Sequence, residues 1–346
     1  MLASILVSPG SIELLETEEP KPSCGEVLVR IEAALTCGTD LKAFMRGHPV
    51  IPMPGVFGHE FSGTIEETGR RVRGFTKGDA IMAVHSAPCL SCLYCRRKLF
   101  NLCEKVMDSK ILGAFAEYIL LPSHIVKQNL FHKPEALSFA EAAFLEPLSC
   151  VVHGMASLDI KKGDYALVIG AGPIGLLHLL LLKEKGAKVA VTDINNKRLR
   201  IARKLGADFA VVSNPTLSPF AKAGQGWISG SKDFPGFDYV FECTGMPEVW
   251  EASVIYVRRG GTVTLFGGCR SGTTVTYDAG RLHYDEITLR GVFHYTPSDV
   301  KKAYDLLRKQ RIDVTPLISG EYRLKQTQKA FENLAKGKGI KYAIIP

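Results

Sequence analysis

The segment from Asp164 to Asp193, DYALVIGAGPIGLLHLLLLKEKGAKVAVTD, constrains the fold of this 346-residue chain more than any other. Its apolar run YALVIG is typical of a strand covered on both faces, and G-x-G-x-x-G, a helical stretch and a second strand, KVAVTD, follow it directly. In such a unit the helix N-terminus presents backbone amides and a positive dipole to a phosphate. Asp193 ends the second strand, where a carboxylate binds the hydroxyls of an adenine ribose. The segment therefore predicts a dinucleotide-binding site, and the alternative is a glycine-rich turn that binds nothing.

Each glycine of this motif has its own predicted role. Gly170 permits a tight turn, Gly172 lets the backbone approach a pyrophosphate, and Gly175 lets the helix pack closely on the strand. The Asp193 carboxylate would repel a 2′-phosphate and so favours NAD, whereas the nearby cations Lys197 and Arg198 keep NADP open. The residues expected to contact the dinucleotide are Gly170, Gly172, Pro173, Ile174, Gly175, Asp193, Arg198, Thr244 and Gly245.

Four further segments after this motif are predicted strands: FAVVS, DYVFECTG, GTVTLFG and ITLRGVF, which end at Ser213, Gly245, Gly267 and Phe293. Helical candidates lie between strands, and this alternation predicts a doubly wound, mostly parallel sheet. Thr244 and Gly245 end a strand on the side where ligands bind in such sheets. The segment Asn214–Gly236, rich in Ser, Gly and Pro, is predicted to be a loop. GGTVTLFGG is expected to supply an edge strand for pairing between subunits.

Four of the nine cysteines have the spacing C-x2-C-x2-C-x7-C and are Cys89, Cys92, Cys95 and Cys103. Two-residue gaps let a tight turn aim successive thiolates at one point, and four thiolates complete a closed tetrahedral zinc shell. An iron–sulfur cluster also takes four cysteines, but the ferredoxin pattern has a different last gap and a following proline. The spacing therefore favours a structural zinc, with iron–sulfur and free thiols as the alternatives.

Composition excludes several classes of partner. The net charge is +8, but the basic residues are scattered and no basic patch alternates with aromatic residues, so a nucleic-acid partner is not expected. The longest apolar run, IGLLHLLLL, is too short to span a bilayer, so no membrane association is expected. The N-terminal stretch lacks a basic region, and the cysteines suit thiols or metal ligands, which together predict a cytoplasmic location.

A second group of polar residues lies in the first part of the chain. His59 and Glu60 stand together in the apolar, glycine-rich stretch GVFGHEFSGTI, where a turn with an ordinary histidine is the simplest interpretation. Five motifs then occur in one order along the chain: TCGTD at Thr36–Asp40, GHE ending at Glu60, the four cysteines, LEPLSC ending at Cys150, and the glycine motif. In these motifs the chain resembles the zinc-dependent medium-chain dehydrogenases of the alcohol dehydrogenase superfamily, and most of all their sorbitol (polyol) and threonine dehydrogenase branch.

The resemblance implies a catalytic zinc in addition to the structural one. Cys37 and His59 match the family's cysteine and histidine ligands, and Glu60 and Glu146 are the other candidates for ligands or for residues that support them. In the family, the zinc polarises the alcohol or carbonyl group while hydride passes to or from the nicotinamide. The metal-binding residues implied in this chain are Cys37, His59, Glu60, Glu146, Cys89, Cys92, Cys95 and Cys103.

Three further residues are assigned through the same resemblance. Thr39 matches the hydroxyl that accepts the substrate proton and passes it onward. The family often has a histidine five residues after the ligand cysteine as the outer end of this relay, but this chain has Lys42, with His48 nearby. The polyol branch has an arginine after GVF, and here that position is His294, which is expected either to hydrogen-bond a substrate hydroxyl or simply to pack.

The resemblance also implies the architecture and the activity. The fold class is α/β, with a Rossmann doubly wound parallel sheet inserted into a mainly-β GroES-like catalytic domain. Residues 1–146 and 287–346 would form the catalytic domain and 147–286 the NAD-binding domain, with the active site in the cleft between them. The expected function is zinc-dependent hydride transfer between a small-molecule polyol or other secondary alcohol and NAD, by a homodimer or homotetramer. Threonine 3-dehydrogenase or general alcohol dehydrogenase activity is the alternative, and a non-catalytic zinc- and nucleotide-binding protein is the alternative from another class.

Overall fold

The chain folds into two units in the computed structural model, which describes residues 1–212 and 234–346. Unit 1 comprises Met1–Val152 and His294–Pro346, and unit 2 comprises His153–Phe293. The divisions thus follow Val152 and Phe293, whereas the sequence placed them after residues 146 and 286. Most of the predicted loop Asn214–Gly236, together with Ser213, lies outside the described residues.

The strands are numbered in chain order. Strands β1 to β8 are Leu2–Ser8, Ser11–Glu16, Val27–Leu35, Gly55–Val56, Glu60–Thr68, Ala80–Ala83, Tyr118–Leu121 and Leu130–His132. Strands β9 to β14 are Tyr165–Ile169, Lys188–Asp193, Phe209–Val212, Phe237–Glu242, Val257–Leu265 and Thr288–Gly291. Strands β15 and β16 are Ile318–Arg323 and Lys341–Ile345.

The helices alternate with these strands. Helices α1 to α5 are Gly38–Arg46, Leu93–Arg96, Ser123–Asn129, Phe139–Ala142 and Leu145–Met155. Helices α6 to α11 are Pro173–Glu184, Asn196–Lys204, Pro247–Ser253, Ala279–Tyr284, Pro297–Arg308 and Thr327–Ala335. Among the described residues, no helix combines the length and the apolar character that crossing a bilayer requires.

Unit 2 contains a six-stranded sheet in the order β11-β10-β9-β12-β13-β14, and every neighbouring pair is parallel. This confirms the doubly wound parallel sheet that the alternation of strands and helices predicted. α6 is apolar on all sides and its residues Gly175–Leu182 are buried, as expected for a helix enclosed by its own unit.

The prediction that GGTVTLFGG forms an edge strand is wrong. Its first six residues, 260–265, lie in β13, which pairs with β12 on one side and with β14 on the other. Residues 263–265 are buried, as expected for a parallel sheet whose faces are covered by its connecting helices. β11 and β14 are the edges of the sheet.

Unit 1 is mainly β, with a seven-stranded sheet in the order β15-β16-β3-β5-β6-β8 to which β7 adds by pairing with β3. Its strands are antiparallel apart from β15 and β16. A cluster of aromatic rings fills its core, with Phe57 4.8 Å from Phe115 and 5.4 Å from Phe331 between ring centroids. Near the end of the chain, α11 is followed by β16, and β16 pairs with β3. Strand β16 thus joins a sheet that also contains β3, a strand from the first part of the chain.

Candidate metal centres and nucleotide-binding turn

The first cluster of metal-binding side chains in unit 1 contains Cys37, Asp40 and His59. Cys37 caps the N-terminus of α1, Asp40 lies in the first turn of that helix, and His59 directly precedes β5. One sulfur, oxygen or nitrogen atom of each lies within 4.8 Å of the others. Asp40 is fully buried, and neither of its carboxylate oxygens has a hydrogen-bond partner among residues 1–212 and 234–346, although Oδ1 lies 3.4 Å from His59 Nδ1.

These residues fit a zinc ion. A thiolate, an imidazole and carboxylates are the donors that zinc takes in proteins. A buried carboxylate without a donor is also costly, and a cation beside it removes that cost. The sequence predicted no role for Asp40, although its place three residues after Cys37 on the first turn of a helix could have indicated that the two side chains lie together.

Glu60 and Glu146 form a second cluster around His59, with one atom of each within 4.8 Å of the others. Glu60 Oε2 forms an ion pair with the buried Lys341, and Oε1 has no hydrogen-bond partner in the part of the chain that the structure describes. Lys341 Nζ also donates to the Thr36 carbonyl at 2.8 Å. Burial alone would lower the pKa of Lys341, but the Glu60 carboxylate raises it, so this lysine stays protonated. Lys341 was missed, although a lysine directly before the apolar run YAII is an unusual placement.

Glu146 is the first member of a buried polar chain that reaches His294. His85 Nδ1 lies 3.3 Å from Glu146 Oε1 and 3.3 Å from the Tyr295 hydroxyl. Ser86 Oγ lies 2.9 Å from that hydroxyl and 2.6 Å from His294 Nε2. Burial by itself would raise the pKa of Glu146, but the hydrogen bond and charge of His85 bring it to about 2, so Glu146 is ionised.

The chain of contacts fixes the orientation of His294. Its ring stacks on Tyr295 with centroids 4.0 Å apart, and its backbone has φ +62°, which side-chain-bearing residues rarely adopt. The sequence left open whether His294 hydrogen-bonds a substrate hydroxyl or simply packs. In unit 1, its Nε2 forms a hydrogen bond with the Ser86 hydroxyl. His85 and Ser86 were not identified from the sequence, because AVHSAP has no spacing that distinguishes it from an ordinary loop.

The predicted relay residues lie on α1. Thr39 and Lys42 are three residues apart, which places them on neighbouring positions of one helix face, and both are half-buried. His48 follows α1 and its Nδ1 accepts from the Val50 amide at 3.4 Å. Burial, and then the charge of Lys42, lower the pKa of His48, so it is neutral at pH 7.

The four predicted zinc cysteines come together around one point. One Sγ from each of Cys89, Cys92, Cys95 and Cys103 lies within 4.8 Å of the others. Backbone amides point at the sulfurs, with the Cys89 and Lys105 amides 3.3 and 3.4 Å from Cys103 Sγ. Hydrogen bonds from Ser91 and from backbone amides lower the pKa of Cys89 to about 5, which favours the thiolate that binds metal. The donor set fits a closed tetrahedral zinc site, and all nine cysteines are free of disulfides.

In unit 2 the glycine motif forms the turn from β9 into α6. Gly170 has φ +101°, and a Cβ on Gly175 would lie 1.8 Å from the Gly170 carbonyl oxygen, so both positions require glycine. Around Gly172 there is open space within 4 Å, on the approach to the N-terminus of α6. The turn has the shape that the sequence predicted for a phosphate-binding loop.

Asp193 ends β10 and holds this turn in place. Its Oδ2 accepts from the Ala171 amide at 2.7 Å, its Oδ1 accepts from the Asn195 amide at 2.7 Å, and Arg198 Nη1 lies 3.8 Å away. Asp193 therefore stabilises the glycine turn through its hydrogen bond with the Ala171 amide, and contact with a ribose would be a second role.

The turn after β12 lies beside the glycine motif, because β10, β9 and β12 are neighbours in the sheet. The buried Glu242 accepts from the Thr244 amide at 2.6 Å and from the Thr244 hydroxyl. Gly245 has φ +70°, and a Cβ there would lie 2.5 Å from the Gly268 carbonyl oxygen. The carboxyl ends of these three strands thus carry the predicted cofactor residues at one edge of the sheet.

Two known domain families match this chain. The alcohol dehydrogenase GroES-like domain matches residues 23–132, and the zinc-binding dehydrogenase domain matches residues 173–309. The sorbitol dehydrogenase of Ovis aries is 32% identical, in a match that covers 99% of this chain and 96% of that enzyme. The L-threonine 3-dehydrogenase of Colwellia psychrerythraea is 30% identical, with 98% of this chain and 97% of that enzyme covered.

Solved structures extend this similarity to the fold. A zinc-binding dehydrogenase from Sinorhizobium meliloti 1021, bound to NADP, has a TM-score of 0.89 and 30% identity, with 100% of this chain and 99% of that chain covered. Together with the relatives, it confirms the fold class and the dehydrogenase activity, and it supports zinc and a nicotinamide cofactor. The chain belongs to the zinc-dependent medium-chain dehydrogenases, in the branch of the sorbitol and threonine dehydrogenases.

Proposed function

We propose that this dehydrogenase transfers hydride between a polyol or other secondary alcohol and NAD. The observation that carries the proposal is that two donor groups meet at His59, one with Cys37 and Asp40 and one with Glu60 and Glu146, and that both Asp40 oxygens and Glu60 Oε1 have no donor among the described residues. Such a donor set suits a cation that is held on one side and open on the other. The enzymes of Ovis aries and Colwellia psychrerythraea are named for sorbitol and for L-threonine, so threonine or a simple alcohol is the alternative substrate.

In the proposed mechanism, Cys37 and His59 would hold the catalytic zinc, together with Glu146 or Glu60. When bound, zinc supplies Lewis acidity toward the substrate oxygen, and the nicotinamide supplies the hydride acceptor. Asp40, with Oδ1 3.4 Å from His59 Nδ1, would orient the His59 ring and raise its basicity as a ligand, while Lys341 pairs with one oxygen of Glu60 and would leave the other to a metal.

Proton transfer is assigned to the face of α1. The Thr39 hydroxyl accepts the proton of the substrate alcohol and donates its own to the next acceptor. Lys42, one helix turn further along, lies in the position for the outer end of this path. An ammonium group can donate a proton but cannot accept one, so Lys42 would take the proton from Thr39 only in its neutral form, and otherwise the path ends at water.

The polar chain between Glu146 and His294 supports a substrate with more than one hydroxyl. His85, Tyr295 and Ser86 provide ring nitrogens and hydroxyls that both donate and accept, which is the pattern that recognises a polyol. A pocket for a simple alcohol would gain more from apolar side chains there.

NAD is proposed in preference to NADP because Asp193 ends β10 with a carboxylate. This charge repels a 2′-phosphate, while Arg198, 3.8 Å away, acts in the opposite direction. The relative from Sinorhizobium meliloti is bound to NADP, so the balance of these two side chains decides the preference.

Further proposals concern the metal content and the assembly. One zinc is assigned to the Cys37 cluster and one structural zinc to the four cysteines. A homodimer or homotetramer and a cytoplasmic location stay predictions from the sequence.

A substrate panel tests the proposal. Zinc-loaded protein is mixed with NAD and a series of polyols, threonine and simple secondary alcohols, and the absorbance of the reduced cofactor is followed. We expect the largest kcat/KM for a polyol. Threonine or a simple alcohol as the best substrate would favour the alternative, and no turnover with any of them, at confirmed zinc content, would favour a non-catalytic protein.

A further inference from the structure

The zinc-cysteine segment presents an apolar surface to solvent. We call residues 88–110 the cysteine lobe. Of the fourteen large hydrophobic side chains that are exposed in the described chain, five lie in this one short segment, with exposed fractions of 39% to 55%: Leu90, Leu93, Tyr94, Leu99 and Leu102. The lobe's own small core is built from other residues, chiefly Cys95, Cys103 and Val106. A concentration of this kind that does not serve the local fold marks an interaction surface.

The same surface is strongly basic. Arg96, Arg97 and Lys98 are consecutive and exposed, and they lie between Leu93 and Leu99 in the chain. Two such lobes would repel each other, because like charges would face each other across the contact. The surface therefore fits a partner that is apolar and acidic.

Strand β2 is a surface of that complementary kind. It is the edge strand of the three-stranded sheet β2-β1-β4, so one side of it has no neighbouring strand within the described chain. Leu14 and Leu15 are exposed on it, and Glu13 and Glu16 are exposed beside them. Glu18 and Glu19 follow directly, and charges of one sign on an edge strand prevent two copies of that strand from pairing.

We propose that the cysteine lobe of one protomer docks on β2 of a second copy of this chain. Each surface repels a second copy of itself through like charges, whereas the basic lobe and the acidic strand are complementary in charge and both expose apolar side chains. Both surfaces belong to unit 1 of one chain. This inference goes beyond the proposed reaction, and it gives the predicted self-association an interface that does not involve the edge strands of unit 2.

A charge-swap experiment tests the interface. The lobe variant carries Arg97→Glu and Lys98→Glu, the strand variant carries Glu13→Lys and Glu16→Lys, and a third protein combines all four substitutions. The masses of the zinc-loaded proteins are measured by analytical ultracentrifugation. We expect the wild type to be an oligomer and each single-surface variant to have half its mass, with a dissociation constant raised about tenfold or more, or about 1.4 kcal/mol. The combined protein should recover the wild-type mass, because the attraction is restored with the signs exchanged.

Two control variants distinguish the charges of this interface from surface charge in general. Arg200→Glu with Lys204→Glu reverses two exposed charges on α7 and should leave the mass unchanged. Leu93→Ser with Leu99→Ser should halve the mass also at high salt, where charge attraction is screened. If the lobe variants lose zinc, the strand variant decides, since β2 lies outside the lobe.

Several results would overturn the proposal. These are a monomeric wild type, unchanged masses in both single-surface variants, or a combined protein that fails to recover its mass. Binding of the wild type to phosphatidylglycerol vesicles, lost in the lobe variant without a change in mass, would assign the lobe to a membrane instead. Dehydrogenase activity is measured separately, so failure of the proposed reaction and failure of the interface give different results.

Discussion

At the scale of single residues, the site depends on two buried charges, Asp40 and Lys341, to which the sequence analysis assigned no role. The motifs TCGTD and GHE locate Cys37 and His59, because these ligands follow a fixed local spacing. Lys341 pairs with Glu60 across 281 residues of sequence, and local patterns carry no information about a contact of that range. Only the folded structure shows that the Lys341 ammonium group is buried beside the Glu60 carboxylate.

Asp40→Asn tests the role of the first of these charges. The amide keeps the size of the side chain but removes the charge that faces His59 Nδ1, so His59 becomes a weaker ligand. Partners of this kind contribute about 10-fold to 100-fold in metal affinity or activity. Competition with a chelator should show zinc leaving the catalytic cluster more easily by this factor, while Asp40→Glu should recover part of the affinity. Unchanged affinity in Asp40→Asn would contradict the assigned role.

Asp193→Ala tests the cofactor preference. Removal of the carboxylate leaves Arg198 without its opposing charge, so the ratio of kcat/KM for NAD to that for NADP should fall by about 10-fold or more, as for loss of about 1.4 kcal/mol of discrimination. Because Asp193 also accepts from the Ala171 amide, some loss of NAD affinity is expected as well. Arg198→Ala is the matched variant and should shift the ratio the other way. An unchanged ratio in both would mean that other residues decide the preference.

At the scale of helices and strands, the sequence predicted unit 2 better than unit 1. Continuous apolar runs after glycine turns identify parallel strands one by one, and β9, β10 and β12 lie where YALVIG, KVAVTD and DYVFECTG placed them. The order of strands in the sheet is a long-range property, which explains the wrong assignment of β13 to an edge. In unit 1 the cysteine spacing was informative, but the path through His85, Ser86 and Tyr295 joins separate segments and has no local signature.

The buried histidine of α6 predicts how stability depends on pH. His178 is fully buried, contacts the rings of Phe241 and Phe266, and has no partner at Nε2. Burial lowers its pKa to about 4, so it is neutral in the folded protein. The unfolded chain takes up a proton below about pH 6.5, and the folded chain does not until about pH 4, so stability is lost as the pH falls through this range.

His178→Leu should remove this dependence. Between about pH 7.5 and about pH 5.5, the wild type should lose about 1.4 kcal/mol of unfolding free energy more than the variant. Denaturant titrations at both pH values measure the unfolding free energy of each protein. Groups that titrate in both proteins contribute equally to both losses, so they cancel in the comparison. Equal losses in the two proteins would show that His178 is not held neutral.

At the scale of the whole molecule, the two metal clusters are separate in sequence and in their donor chemistry. The Cys37 cluster mixes sulfur, nitrogen and oxygen donors, whereas the cysteine lobe offers sulfur alone. Mixed donors with carboxylates are typical of open catalytic sites, and four thiolates are typical of closed structural ones. Loss of one metal should therefore leave the other in place.

His59→Ala and Cys103→Ser form a matched pair for this prediction. Each should reduce the zinc content from two ions per chain to one, measured by atomic emission on the purified protein. His59→Ala should abolish turnover and keep NADH binding, since its cofactor residues lie in unit 2. Cys103→Ser should lower the thermal unfolding midpoint, because a structural zinc contributes directly to the stability of its lobe. Loss of both ions in either variant, or loss of NADH affinity in His59→Ala, would contradict this independence.

The place of Lys341 in the chain has a consequence for biosynthesis. The ribosome releases Cys37, His59 and Glu60 early, then the whole of unit 2, and only afterwards the strand that carries the ammonium partner of Glu60. A nascent chain therefore holds these ligands together with a carboxylate whose counter-charge has not yet been synthesised. We expect the finished metal centre to assemble only after β16 has joined β3, so that catalytic competence arrives after the synthesis of unit 2.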